Sequence, residues 1–264
     1  MRRPVFVAAL LFSIAAPAQE ALSPAPFITT PDEVVQRMLE LAGTRAADLV
    51  VDLGSGDGRI VIAAARNFGA RGLGIELDRA LVEKSRESAR QAGVADRVSF
   101  LQGDVLAANL SQATVVTVYL LPGLINRLQP RFLDQLRPGT RIVSHAFRMT
   151  GWVPDRAETV RISRPHPGQG EESALYLWVV PAEVRGRWQG SGSELTIHQN
   201  FQHIEVEGRL GGRTLQTPRA ALRGREIALE DGAARFSGRM QGDQIAGELI
   251  VADRRMPLLL TRSR

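Results

Sequence analysis

The sequence predicts an α/β fold: a doubly wound, mostly parallel seven-stranded sheet, followed by a small antiparallel β domain. Three observations carry this reading. Up to about Pro181, short apolar runs alternate with stretches of helical periodicity, the pattern of consecutive βαβ units. The early apolar runs each close on an acid or an aromatic residue, and such folds bind ligands at the carboxyl ends of their strands. Past Ala182 no amphipathic helix follows, and short alternating runs are separated by glycines, as in an antiparallel sheet. At 264 residues the chain is long for one α/β domain, so we divide it into 1–18, 19–181 and 182–264.

Taken in order, Pro31 suits the first turn of a helix. Thr30 is placed to cap it, and Asp32 and Glu33 complement its dipole. The first strand is the run Leu49 to Leu53, which leads into Gly54-Ser55-Gly56-Asp57-Gly58 and then a helix from Ile60 to Phe68. Glycines there let the backbone turn sharply and approach a ligand closely. With Asp52 two residues before the first glycine, the loop reads as a nucleoside-binding site. The dinucleotide fingerprint needs a glycine where this chain has Arg59, so NAD is the weaker reading. The second strand, Gly72 to Asp78, puts Glu76 where a carboxylate can accept from two ribose hydroxyls. The third, Val98 to Gln102, leads to Asp104, an acceptor suited to the adenine amine. The fourth runs from Ala113 to Tyr119, where the reacting methyl group is expected, and Tyr119 is either an active-site wall or a core aromatic. A helix over Leu124–Leu136 and a fifth strand, Arg141 to His145, follow, and His145 is either a base or a supporting side chain. Thr159–Ser163 and Ala174–Val180 form the closing hairpin. Taken singly, Asp57 and Asp78 read as helix caps.

The stretch Val50-Val51-Asp52-Leu53-Gly54-Ser55-Gly56-Asp57-Gly58 resembles motif I of the class I S-adenosylmethionine-dependent methyltransferases. Phe27-Ile28-Thr29-Thr30-Pro31 before a helix, with Asp-Leu-Gly-Ser-Gly-Asp-Gly-Arg after it, resembles the family related to mitochondrial protein-lysine N-methyltransferases. The likeness runs from about Phe27 to Pro181. It implies S-adenosylmethionine as cofactor, with its amino-acid part against Asp52, Gly54, Ser55 and Gly56, and with Glu76 and Asp104 on the nucleoside. It also implies that Phe27 to Thr30 folds over the cofactor as a lid, and that Tyr119 and His145 face the reacting centre. Relatives acting on amino groups of nucleobases or glutamine usually carry Asn/Asp-Pro-Pro-aromatic after the fourth strand. This chain has Tyr119-Leu120-Leu121-Pro122, which disfavours those substrates and points to N-methylation, with a protein lysine as one acceptor.

Met1-Arg2-Arg3, the apolar stretch from Val5 to Ala16 and Ala16-Pro17-Ala18 match a secretory signal cleaved after Ala18. The expectation is export to the periplasm, or a cytoplasmic protein if translation starts further on. The apolar stretch is too short for a stable membrane span. Because the cofactor is made in the cytoplasm, an exported non-catalytic binding or scaffold protein that keeps the fold is the rival reading. The absence of cysteine removes disulfides, zinc–thiolate sites and a cysteine nucleophile. Net charge is +5, or +3 without Arg2 and Arg3, and Lys84 is the sole lysine. No basic run interleaved with aromatics favours nucleic acid, and Arg148, Arg156, Arg161 and Arg164 read as scattered solvated charges. His198 and His203, five apart on a strand, face opposite sides, so no metal site is expected. The sequence leaves the oligomeric state open, and leaves the C-terminal module to stabilise, dimerise or present substrate.

Overall fold

The computed structural model describes residues 28–163, 165 and 170–263. The signal-like segment, Phe27 and Arg164 lie outside the described residues. The first sheet is built from β1 (Leu49–Leu53), β2 (Arg71–Glu76), β3 (Val98–Gln102), β4 (Val115–Val118), β5 (Arg141–His145), β6 (Arg156–Arg161) and β7 (Glu172–Val179). Their spatial order is β3-β2-β1-β4-β5-β7-β6. The first five run parallel and β7 pairs antiparallel with both β5 and β6.

Helices α1 (Asp32–Leu41), α2 (Arg59–Phe68) and α3 (Arg79–Gln91) cover one face, and α4 (Pro122–Gln135) covers the other. Alternation along β1 divides the core: Val50 packs with Met38, Val61 and Val143, while Val51 and Leu53 pack with Ile125, Phe132 and Trp178. A strand buried on both faces needs a continuous apolar run, which β1 and β4 supply. At the opposite edge from the glycine loop, Asp48 accepts from Arg141 Nη2 at 2.8 Å and from Thr114 Oγ1 at 2.7 Å, tying β1, β4 and β5 together.

Two local expectations are corrected. Thr30 does not cap α1: Pro31 occupies the cap position without a side-chain bond, because the Thr30 hydroxyl is engaged elsewhere. The sixth strand starts at Arg156 rather than Thr159. As an edge strand it alternates only between exposed and partly exposed residues, so its apolar pattern is faint.

The C-terminal domain is antiparallel β, as the sequence suggests, and holds more strands than its alternating runs mark. Strands β8 (Gly186–Gly190), β9 (Ser193–Asn200), β10 (His203–Leu210), β11 (Arg213–Thr214), β12 (Arg219–Arg223), β13 (Glu226–Asp231), β14 (Ala234–Gln241), β15 (Gln244–Val251) and β16 (Arg254–Arg262) form one nine-stranded antiparallel sheet. Trp188, Leu195, Ile197, Phe236 and Leu260 fill its core. It meets the first domain at Gly224, which packs on Gly139, and at the two-residue turn between β9 and β10. There Phe201 takes φ +54°, a conformation that favours glycine, and stacks on Trp152 with ring centroids 5.2 Å apart. Gln202 accepts from Trp152 Nε1 at 2.8 Å and donates to the Val153 carbonyl at 2.6 Å.

Candidate functional site

The loop after β1 turns through three left-handed glycines, Gly54, Gly56 and Gly58, with φ of 77°, 54° and 80°. Two of them also lie close against neighbouring side chains. A Cβ on Gly58 would lie 2.6 Å from the Phe100 ring, and one on Gly54 would lie 2.9 Å from Leu120. The amides of Gly54 and Ser55 donate to the Ile75 carbonyl at 2.9 and 3.0 Å, which pins the loop to the end of β2. Glu76 then reaches back: its Oε2 accepts from the Gly56 amide at 2.9 Å, while Oε1 takes the amides of Leu77 and Asp78 at 2.8 and 3.0 Å. The carboxylate is thus fixed by three backbone donors, and its four lone-pair directions leave room for a ligand hydroxyl.

Asp52 is buried at the tip of β1 and accepts from Thr117 Oγ1 at 2.7 Å. Burial, together with the nearby charges of Glu76 and Asp57, pushes its pKa up to about 7, although the Thr117 bond opposes the rise. Asp104, exposed after β3, uses Oδ1 to cap the short 3₁₀ turn Val105–Ala107. Its other oxygen has no protein partner among the described residues. Asp78 caps α3, but Asp57 does not simply cap α2. It grips Arg59 through Nε at 2.9 Å and Nη2 at 2.7 Å, and Arg59 Nη1 donates to the Thr30 carbonyl at 2.8 Å. Ser55 Oγ is buried without a hydrogen-bond partner. A turn of close-approach glycines beside two carboxylates at adjacent strand ends fits an adenosyl group with a charged amino-acid tail.

At the ends of β4 and β5 stand Tyr119 and His145, with ring centroids 4.0 Å apart. His145 is 1% exposed, and both ring nitrogens are engaged: Nδ1 with Thr30 Oγ1 at 3.2 Å and Nε2 with Ser173 Oγ at 2.9 Å. Burial lowers its pKa to about 4. A neutral, doubly bonded imidazole props its neighbours and is poorly placed to take a proton from substrate. Burial pushes the Tyr119 phenol above its usual value, so it stays neutral. Beyond β5, the Phe147 amide bonds to the His145 carbonyl at 2.8 Å across Ala146, whose φ is +66°. This is a γ-turn of the rare, strained hand. It carries Phe147 onto Tyr119, with centroids 6.3 Å apart.

Comparison with known proteins places this geometry. The family profile described as the ANTKMT methyltransferase domain matches residues 52–156. A protein-lysine N-methyltransferase of Saccharolobus islandicus is 41% identical over 156 residues, 59% of this chain and 93% of that protein. The chain belongs to this methyltransferase family. An adenine nucleotide translocase lysine N-methyltransferase of Mus musculus is 33% identical over 129 residues, 49% of this chain, and the match spans only 56% of that protein. Among solved structures, one described as an RNA methyltransferase from Salinibacter ruber, in complex with S-adenosyl-L-homocysteine, is 51% identical. It covers 60% of this chain and 96% of its own, with a TM-score of 0.53.

The protein is therefore an S-adenosylmethionine-dependent methyltransferase with an added antiparallel domain. The fold brings Asp52, Gly54, Ser55, Gly56, Glu76 and Asp104 to one sheet edge, with Tyr119 and His145 further along it and Thr30 reaching His145. Sequence reasoning missed Phe147, Ser173 and the fastening role of Arg59. Only Arg59 left a signal, standing where a dinucleotide fold has glycine.

Proposed function

We propose that the methyltransferase modifies the side-chain nitrogen of a lysine in a protein acceptor. The observation that carries this reading is the aromatic wall of Tyr119 and Phe147, half-buried beside the glycine-loop edge. Bound S-adenosylmethionine supplies an electrophilic methyl group on a sulfonium. Glu76 would hold the ribose, Asp104 would meet the adenine amine, and Asp52 with the Gly54–Gly56 turn would receive the amino-acid part. The acceptor must arrive aligned and unprotonated. Aromatic faces attract an ammonium, and its burial among apolar groups lowers its pKa, so that the proton leaves to solvent. The names of the archaeal and murine relatives support the lysine reading.

The test is incubation with methyl-labelled S-adenosylmethionine and a protein extract, followed by hydrolysis and mass spectrometry for methylated lysine. Glu76→Ala is the control, expected to weaken cofactor binding about 100-fold through loss of charged hydrogen bonds worth roughly 2–3 kcal/mol. Label in RNA rather than lysine would favour a second reading, supported by the described activity of the Salinibacter protein and opposed by the Tyr119-Leu120-Leu121-Pro122 turn. We also propose export through residues 1–18. A mature protein beginning at Gln19 is the expected result of N-terminal sequencing, and one beginning at Met1 would refute it.

A further inference from the structure

We propose that His145 is a positioning residue and that the Thr30–His145–Ser173 chain couples the segment before α1, on the cofactor side, to the Tyr119 wall, on the acceptor side. The proposal rests on the cofactor site described above. Three stretches distant in sequence meet in one line of uncharged hydrogen bonds: the lead-in to α1, the tip of β5 and the start of β7. Thr30, His145 and Ser173 are 4%, 1% and 5% exposed. Polar groups so buried are costly unless each has a partner, and here each satisfies the next.

Thr30 is held from its other side as well. Its carbonyl accepts from Arg59, whose guanidinium is clamped by Asp57 of the glycine loop. One residue thus joins the cofactor loop, through its backbone, to the imidazole, through its hydroxyl. Against the face of the imidazole lies Tyr119, with ring centroids 4.0 Å apart, and the γ-turn that begins at His145 carries Phe147. A shift of Thr30 is therefore transmitted to both aromatic faces, and Ser173, which touches none of the cofactor loop, acts only by fixing the ring.

The experiment needs no acceptor. The full chain is loaded with labelled S-adenosylmethionine and chased with excess unlabelled cofactor, and retained label is followed by rapid filtration. Thr30→Val keeps the Arg59 bond and removes the hydroxyl; it is expected to speed cofactor loss about tenfold, the equivalent of one hydrogen bond. Ser173→Ala is expected to do the same, and Thr30→Ser to restore retention. Because both act through one chain, the Thr30→Val/Ser173→Ala double variant is expected to lose cofactor no faster than either single variant. Circular dichroism confirms that each variant is folded, and Ser173→Thr, which keeps the hydroxyl, separates a lost bond from a packing defect by restoring retention. Additive effects in the double variant, or wild-type retention in folded Ser173→Ala, would overturn the proposal. A wild-type protein that retains no label would overturn the cofactor site and the proposal together.

Discussion

In the parallel sheet each strand from β1 to β5 is re-entered through a crossover, so the carboxyl ends all point one way and Asp52, Glu76, Tyr119 and His145 gather along one edge. In the antiparallel sheet the chain reverses at each turn, and its polar residues are dealt alternately to both edges. The second sheet has more strands, yet among the described residues it buries one polar side chain, Ser193, where the first sheet buries Asp52, Thr117, Ser144 and His145 in β1, β4 and β5. Convergence of chemistry follows from strand direction, and the quantity of β-structure does not supply it.

The sharpest way to break this comparison is at the joint between the two regions. Trp152 is buried and stacks on Phe201 from the other domain. Trp152→Ala is expected to cost about 3–5 kcal/mol and to split calorimetric unfolding into two transitions. A single transition in the variant would mean that the sheets cooperate through other contacts. A smaller effect separates the glycines of the two regions. Gly58→Ala meets both a left-handed backbone and the Phe100 ring, whereas Gly242, at φ +59°, has nothing within 4 Å of a new Cβ. The former is expected to cost about 2–4 kcal/mol and the latter about 1–2 kcal/mol, read from urea midpoints. Equal losses would show that the glycine loop relaxes freely.

A third effect, read as a slope with pH, is confined to the first domain. The pKa of Asp52 is raised from 3.8 to about 7. Between those values the folded state holds the extra proton, so this group makes stability fall as pH rises and contributes a constant cost above 7. The pKa of His145 is lowered from 6.5 to about 4. Between those values the unfolded state holds the extra proton, so this group makes stability rise with pH. From about 4 to 6.5 the two offset each other. Asp52→Asn is expected to leave a stability curve steeper upward with pH than wild type in that window, by up to about 1.4 kcal/mol per unit. His145→Gln is expected to tilt it downward, and parallel curves for all three proteins would show that neither group titrates as described.

Much of the first domain was legible because buried parallel strands must be continuously apolar and their turns must contain glycine. Asp52 and Glu76 could be read as strand-tip acids for that reason. Phe147 could not, since its place depends on Ala146 adopting φ +66°, which no local propensity favours. Ser173 and Thr30 reach His145 across 28 and 115 residues, and nothing in either neighbourhood marks the pairing. In the second domain the strands β9, β10, β13 and β15 stood out by alternation. Strands β8, β12, β14 and β16 were less visible, because glycines and arginines occupy much of their exposed faces.

The central seam of the second sheet joins β8 to β16, its first strand to its last, with Gln189 opposite Thr261. On the ribosome, β16 emerges about sixty residues after β8, a delay on the order of several seconds at ordinary rates of synthesis. During that interval the methyltransferase fold already has all its strands, while the appended sheet exists as two incomplete meanders, each with an open edge that a neighbouring nascent chain could pair with. Anything that shields those edges during synthesis governs the yield of the native protein more than it governs the stability of the finished one.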